Sequence, residues 1–217
     1  MIVLFTHQKG GVGKSTIAIN FAYQAQKKYP ELVLLDLDSQ NSVLLFNQLR
    51  VIDDRFVIKC VKESDIEFDS FMNKYAKNKT NLLIIDSGGY DSNINRAALL
   101  KADLIITPVG ISQIEIFGLQ KFNYILKDAS EALGVTIKTN ILINNVDSRS
   151  KNKLKDLAEY INDKSTHFNL LDTIIYTRAD YKNSYGDGLT VKEFNKKGAA
   201  SLEIKQLSKE ILKLINN

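Results

Sequence analysis

Short apolar runs alternate with stretches of helical periodicity along most of this chain. Ile2–Phe5, Leu32–Asp36, Phe56–Cys60, Leu82–Asp86, Leu104–Val109, Ile141–Asn144 and Thr173–Tyr176 have the length and aliphatic content of buried strands. Between them, apolar residues recur at three- and four-residue spacing. This predicts helices over Ser15–Lys28, Ser42–Leu49, Phe68–Lys77, Asn93–Lys101, Ile114–Leu133 and Lys151–Asp163, with a last one over Ala200–Ile215. Strands that are apolar on both faces, joined by helix-length connections, imply an α/β fold: a mostly parallel twisted sheet with helices on both faces. No repeat, low-complexity segment or Pro/Gly linker interrupts the 217 residues, and only two prolines occur, so one domain over 1–217 is expected.

Composition removes several classes. No run of about 18 apolar residues exists, so no spanning helix is expected. The N-terminus leads straight into a strand and leaves no room for an export signal. Cys60 is the only cysteine, so no intrachain disulfide is possible and no zinc or iron–sulfur centre can rest on cysteine alone. Together these predict a cytoplasmic protein. The net charge is +4, with a slight basic bias from residue 145 onward. That suits contact with a phosphate backbone, and it also suits an ordinary solvated surface.

The chemistry concentrates between the first strand and the first helix. Residues 9–16 read Lys9-Gly10-Gly11-Val12-Gly13-Lys14-Ser15-Thr16. The phosphate-loop pattern G-x-x-x-x-G-K-[ST] fails only at its first position, where Gln8 stands. The shifted form K-G-G-x-G-K-[ST]-[ST] fits throughout. Glycines let backbone N–H groups converge on phosphate oxygens, and a helix N-terminus adds its positive dipole end. Gly10, Gly11, Val12, Gly13, Lys14, Ser15 and Thr16 are therefore the candidate nucleotide-binding residues. Lys14 is placed for the β- and γ-phosphates and Ser15 for Mg²⁺.

With a lysine at the head of its loop, the chain resembles the ParA/MinD family of deviant Walker A ATPases, a P-loop NTPase fold. Lys9 matches the signature lysine, which in that family reaches across a dimer to the nucleotide of the other subunit. The resemblance extends along nearly the whole chain. Leu34-Leu35-Asp36-Leu37-Asp38-Ser39-Gln40 is similar to the family's D-x-D-P-Q segment, with Ser39 in place of proline. It implies that Asp38 orients the attacking water and joins the Mg²⁺ shell through water, while Asp36 anchors the strand end. A second use for Asp38, capping the helix from Ser42, stays open. Leu82-Leu83-Ile84-Ile85-Asp86 resembles a Walker B strand whose carboxylate holds Mg²⁺ through water. Ser87-Gly88-Gly89 then falls at the second switch.

Ala102-Asp103-Leu104-Ile105-Ile106-Thr107-Pro108-Val109 is similar to the strand that Pro108 would end beside the dimer interface. Asn144, with Asn145 second, matches the position that meets adenine, although an Asn pair at a strand end is also an ordinary turn. His7 and His167 read as structural, and Cys60 as a small apolar strand residue. The catalytic set implied is Lys9, Lys14 and Asp38, with ATP and Mg²⁺ as cofactors in a slow, partner-stimulated ATP hydrolase.

What the ATP state binds divides the family. Thr177-Arg178-Ala179-Asp180-Tyr181-Lys182 and Gly188-Leu189-Thr190-Val191 resemble a ParA region that faces DNA, which makes Arg178, Lys182 and Lys205 the DNA-binding candidates, with Lys196 and Lys197 assisting. No helix-turn-helix extension precedes the loop, as in short ParA forms. The resemblance thus implies a homodimer with ATP that binds DNA nonspecifically, is nucleoid-associated, works with a ParB-type centromere-binding protein, and segregates a plasmid or chromosome. The alternative is a MinD-like membrane-positioning ATPase or another cargo-positioning relative. For the membrane, the last helix offers Leu207, Ile211, Leu214 and Ile215 as one stripe. Packing of that helix on the sheet is the plainer expectation, and Glu203 and Glu210 would oppose anionic lipid.

Overall fold

The structure is a computed structural model that describes residues 1–52, 58–76, 80–89, 92–164 and 166–216. Among these, seven strands form one parallel sheet: β1 (Ile2–Phe5), β2 (Val33–Asp36), β3 (Cys60–Lys62), β4 (Leu83–Asp86), β5 (Leu104–Val109), β6 (Thr139–Ile143) and β7 (Phe168–Leu170). Their order is β3-β2-β4-β1-β5-β6-β7. Helices α1 (Lys14–Ala25), α2 (Ser42–Ile52), α3 (Phe68–Ala76), α4 (Asn93–Lys101), α5 (Gln113–Leu133), α6 (Lys151–Lys164), α7 (Ala179–Gly186), α8 (Val191–Phe194) and α9 (Ala199–Asn216) complete the fold.

Alternation along the strands builds two cores. Val3, Phe5, Leu34, Ile84, Ile106 and Leu142 face α1, α2 and α9, where Ile17, Phe21, Phe46, Leu207 and Ile211 meet them. Ile2, Leu4, Leu35, Leu83, Ile85, Ile105 and Ile143 face the other layer, through Met72 of α3, Leu99 of α4, Phe122 of α5 and Leu157 of α6. Burial on both faces is why these strands carry unbroken apolar runs. β1 lies between β4 and β5, and the chain leaves it toward β2 on one side before returning to β5 on the other. That reversal opens a crevice beyond the carboxyl end of β1, where the glycine loop sits.

Three expectations need correction. The seventh strand is Phe168–Leu170, not Thr173–Tyr176. The later segment runs on beside β6 but makes only a bridge, Val146 to Tyr176. Its N–H groups are divided: Ile175 donates to the Ile143 carbonyl of β6 at 3.0 Å, Thr173 and the preceding Asp172 donate to Glu210 of α9 at 3.1 and 2.7 Å, and Tyr176 donates to Glu203 at 3.3 Å. The third strand is Cys60–Lys62, displaced from the expected Phe56–Cys60, of which residues 56 and 57, like Lys77 at the expected end of the third helix, lie outside the described residues. Pro108 does not end β5: it lies inside it, opposite Leu142, and the strand runs on to Val109.

α7 and α8 were not expected. They are fastened to α1 and α2 by a buried cluster. Arg50 is fully buried, and its guanidinium meets the Glu193 carboxylate in two contacts of 2.8 Å. It also donates to the Gly188 carbonyl at 2.9 Å and lies 5.5 Å from the Phe46 ring centroid. Glu193 and Thr190 form a capping box at the start of α8, and Asn20 accepts the Val191 N–H at 2.9 Å. Arg50→Ala should lower unfolding free energy by about 3–5 kcal/mol, because Glu193 would be left without its cation in a protected site. Denaturant titration checks this; a loss under about 1 kcal/mol would mean that solvent reaches the carboxylate freely.

Candidate functional site

The loop leaving β1 closes on α1 at Gly13, the helix N-cap, held in the left-handed region at φ 91° and ψ 18°. Gly11 is also left-handed, at φ 77°. These turns wrap the loop around the α1 N-terminus and aim its N–H groups inward. Lys14 follows, 5% exposed, its amine donating to the Lys9 carbonyl at 3.2 Å. Burial holds this amine below its usual pKa, against the opposing pull of Asp86 and Asp38. A buried, underprovided cation beside a ring of N–H groups is a receptor for phosphate.

Asn144, at the end of β6, closes over the loop: its amide donates to the Val12 carbonyl at 2.7 Å. A Cβ on Gly13 would lie 2.5 Å from that amide nitrogen. Asn144 therefore braces the loop. Asn145 is exposed, left-handed at φ 56°, and accepts from the Thr177 hydroxyl at 2.9 Å. A cleft of about 920 Å³ runs from Gly10–Ile17 past Asp38 and Gln40 to Asn144, Asn145 and Tyr176. Arg178, Tyr181, Lys182 and Tyr185 form its far wall.

The two acids of the second strand have separate tasks. Asp36 is buried; its carboxylate accepts the Asp38 N–H and the Val43 N–H, each at 3.1 Å, and so caps α2. Asp38 is half-buried, accepts the Gln40 N–H at 3.0 Å and lines the cleft. The capping duty thus falls to Asp36 and not to Asp38. Asp86 ends β4 directly opposite Asp36 in the register. It is fully buried, and among the described residues neither carboxylate oxygen has a partner in hydrogen-bond geometry, although the Ser15 hydroxyl lies close by. Burial pushes its pKa up to about 7, with the Ser15 hydroxyl the largest opposing influence. An orphaned buried carboxylate next to a serine hydroxyl at a phosphate loop fits a hard cation that keeps part of its water.

Lys9 stands apart from the cleft. Its amine pairs with Glu115 of α5, and its N–H donates to His7 Nδ1 at 2.9 Å. His7 is buried and stacked on Phe122, and burial, then Lys14 and Lys9, hold its pKa down to about 4. It is a neutral acceptor that fixes the loop's entry. His167, just before β7, meets the Ile137 carbonyl at 2.8 Å. Cys60 opens β3, and burial pushes its thiol up to about 12, so it stays an apolar thiol.

Of the three DNA candidates, Arg178 and Lys182 share the cleft wall, while Lys205 lies on α9. Arg178 donates twice to Glu203, at 2.9 and 3.1 Å, and covers the Tyr176 ring. Lys182 is exposed on the cleft wall. Lys205 is exposed on α9, in a lysine group with Lys27, Lys192 and Lys196. Lys192 lies over Tyr23 and donates to Gln24 at 3.2 Å; burial, then those three lysines, lower its pKa. Sequence reasoning missed Lys27, Lys192, Arg50 and Glu115. For α8 one signal was present, the T-x-x-E capping box at Thr190; for the others, the partners lie too far apart in the chain. Ala179–Gly186 has no apolar stripe to betray it.

A model of the CobQ/CobB/MinD/ParA nucleotide-binding domain matches residues 3–191. No curated protein matches the chain. Among solved structures, it is similar to a Borrelia burgdorferi B31 protein designated a plasmid partition protein and bound to AMPPNP, at 19% identity over 98% of each chain and a TM-score of 0.67. It is also similar to an ATP complex of a Cyanothece McdA variant, at 13% identity over 97% of this chain and 95% of that one, TM-score 0.70. MinD from Pyrococcus horikoshii with Mg-ADP is 16% identical over 98% of this chain and 96% of that one, TM-score 0.70. At such identities these structures bear on the fold.

Proposed function

The chain belongs to the CobQ/CobB/MinD/ParA nucleotide-binding family, and from that premise we propose that it is a ParA-type partition ATPase. It dimerises on ATP, binds DNA nonspecifically in that state, and hydrolyses ATP to segregate a plasmid or chromosome, answering to a ParB-type partner on the nucleoid in the cytoplasm. The observation that carries this reading is the phosphate cradle of Gly10–Thr16 with the orphaned Asp86 carboxylate behind it. Lys14 neutralises phosphate charge, and Lys9 does so for the nucleotide of the second protomer. Mg²⁺, held by Ser15 and through water by Asp86 and Asp38, would supply charge neutralisation at the phosphates. Asp38 orients the attacking water from the cleft. Exclusion of bulk water strengthens each of these charges.

DNA is favoured over a membrane by the packing of α9. Leu207 and Ile211 are buried against α1 and Ile215 packs partly beside them, so of the stripe expected for lipid only Leu214 is left exposed. Among the described residues no helix is long and apolar enough to cross a membrane. The solvent side of α9 carries Lys205 within the group that includes Lys27, Lys192 and Lys196. Contacts of this kind give affinity without sequence preference and a steep salt dependence.

Binding to a random-sequence duplex should be measured with ATP, with ADP and without nucleotide, at two salt concentrations, beside anionic liposomes. ATP-dependent, salt-sensitive DNA binding is expected. Liposome binding without DNA binding would move the protein to the membrane-positioning class. Lys9→Ala should still bind ATP but hydrolyse it at least about tenfold more slowly, as the loss of one charge-stabilising contact implies. Normal turnover in that variant would remove Lys9 from the mechanism.

A further inference from the structure

Lys9 is held in place from three sides. Its N–H is fixed on His7, its carbonyl accepts the Lys14 amine, and its peptide backs onto Gly89, where a Cβ would lie 2.7 Å from the Gly10 nitrogen. The backbone is thus committed and only the side chain is at liberty. That side chain turns away from the cleft, to Glu115.

The Glu115 end is equally determined. The residue sits in the first turn of α5, at 12% side-chain exposure against 33% for Lys9. A Cβ on Gly110 would come within 3.2 Å of Glu115 Cγ, and one on Gly118 within 3.0 Å of the His7 ring, so α5 lies directly on the loop entry. One carboxylate oxygen takes the Lys9 amine. The other is buried and, among the described residues, has no partner.

As a stabilising device this pair is poor: half of the carboxylate's capacity is unmet and the cation is partly wet. As a detachable contact it is well made. The α5 N-terminus favours a negative charge in its first turn, so Glu115 keeps electrostatic support when the amine leaves. The amine, tethered by flexible methylenes, goes to whichever anion holds it more strongly.

We propose that Glu115 is a latch for Lys9. It holds the amine inside its own protomer until a phosphate presented by a second protomer competes for it, and so sets the protein concentration at which ATP drives association. This rests on the reading above that Lys9 serves the partner's nucleotide. Glu115 touches no nucleotide itself; it positions Lys9.

The test compares the wild type with Glu115→Gln, which keeps the shape and removes the charge, and Glu115→Asp, which keeps the charge. Acylation of Lys9 by an amine-reactive ester, followed by peptide mass spectrometry without nucleotide, reads the ion pair directly. It should rise several-fold in Glu115→Gln and little in Glu115→Asp. Light scattering with ATP should then show Glu115→Gln associating at about tenfold lower protein concentration, the value of one charge-assisted contact. Adding Lys9→Ala should erase that gain. Thermal unfolding confirms that each variant folds. Unchanged acylation in Glu115→Gln overturns the latch, and so does association no easier than wild type. If the wild type itself fails to associate with ATP at any concentration, the partition reading is what fails, while the acylation result still reports on the pair.

Discussion

Gly13→Ala is expected to weaken nucleotide binding by roughly a hundredfold and to destabilise the protein without ligand. Two costs combine. The left-handed φ of 91° strains any residue with a Cβ, by about 1–2 kcal/mol. The new methyl also meets the Asn144 amide at 2.5 Å. That amide is buried and bonded to Val12, so moving it forfeits a hydrogen bond, for about 1 kcal/mol more. Relief comes from unwinding the turn, which turns the cradle N–H groups away from the phosphates. About 3 kcal/mol corresponds to the hundredfold loss. Calorimetric titration with a nonhydrolysable ATP analogue measures it. Affinity within about threefold of wild type would mean that the loop's geometry is not what holds phosphate.

Asp86→Asn should have opposite effects on activity and on stability. Hydrolysis should fall by about 10²–10³, the usual loss when a preorganised charge is removed from a transition state. The nucleotide-free protein should nonetheless become more stable at pH 8. The reason is that Asp86 is fully buried, has no hydrogen-bond partner among the described residues, and has its pKa raised to about 7. A carboxyl whose folded pKa lies above its unfolded value of about 3.9 destabilises the fold when ionised. The penalty is fully present above about pH 7, shrinks as pH falls toward 4, and is absent below that, with a size on the order of a few kcal/mol. His7 runs the other way: its pKa is depressed to about 4, so the stability it contributes is lost as pH falls from about 6.5 to 4. The difference between wild type and Asp86→Asn across pH 5 to 8 cancels His7 and isolates Asp86. A flat difference would show that solvent or a neighbour already satisfies the carboxylate.

The parts of the site legible in the sequence are those whose chemistry is local. Gly10–Thr16 is a contiguous pattern whose strand and helix flank it directly, and Asp86 is marked by the apolar run before it. Asn144 was legible as a site residue, and it lines the cleft; that its amide also braces Val12 was not. What the sequence hides is pairing at a distance. Nothing near Arg50 announces Glu193, and nothing near Lys9 announces Glu115. Thr173–Tyr176 misled for the opposite reason. Its β-branched content fits a strand, and Thr173 and Ile175 are indeed buried, but β6 accepts only the Ile175 N–H, while carboxylates of α9 take those of Thr173 and Tyr176. Propensity describes the side chains a segment can bury and says little about who receives its N–H groups.

Those α9 carboxylates have a mechanical meaning. Glu203 holds both the Tyr176 N–H and the Arg178 guanidinium, and so ties the far wall of the cleft to a helix whose outer side presents Lys205 two residues on. The wall and the helix are geared together. On the proposed reading, a polyanion that shifted α9 would move Tyr176 and Arg178 with it through Glu203, and a nucleotide that drew the wall inward would re-aim Lys205. By thermodynamic reciprocity, whatever factor ATP adds to affinity at the outer surface, occupancy of that surface returns to ATP.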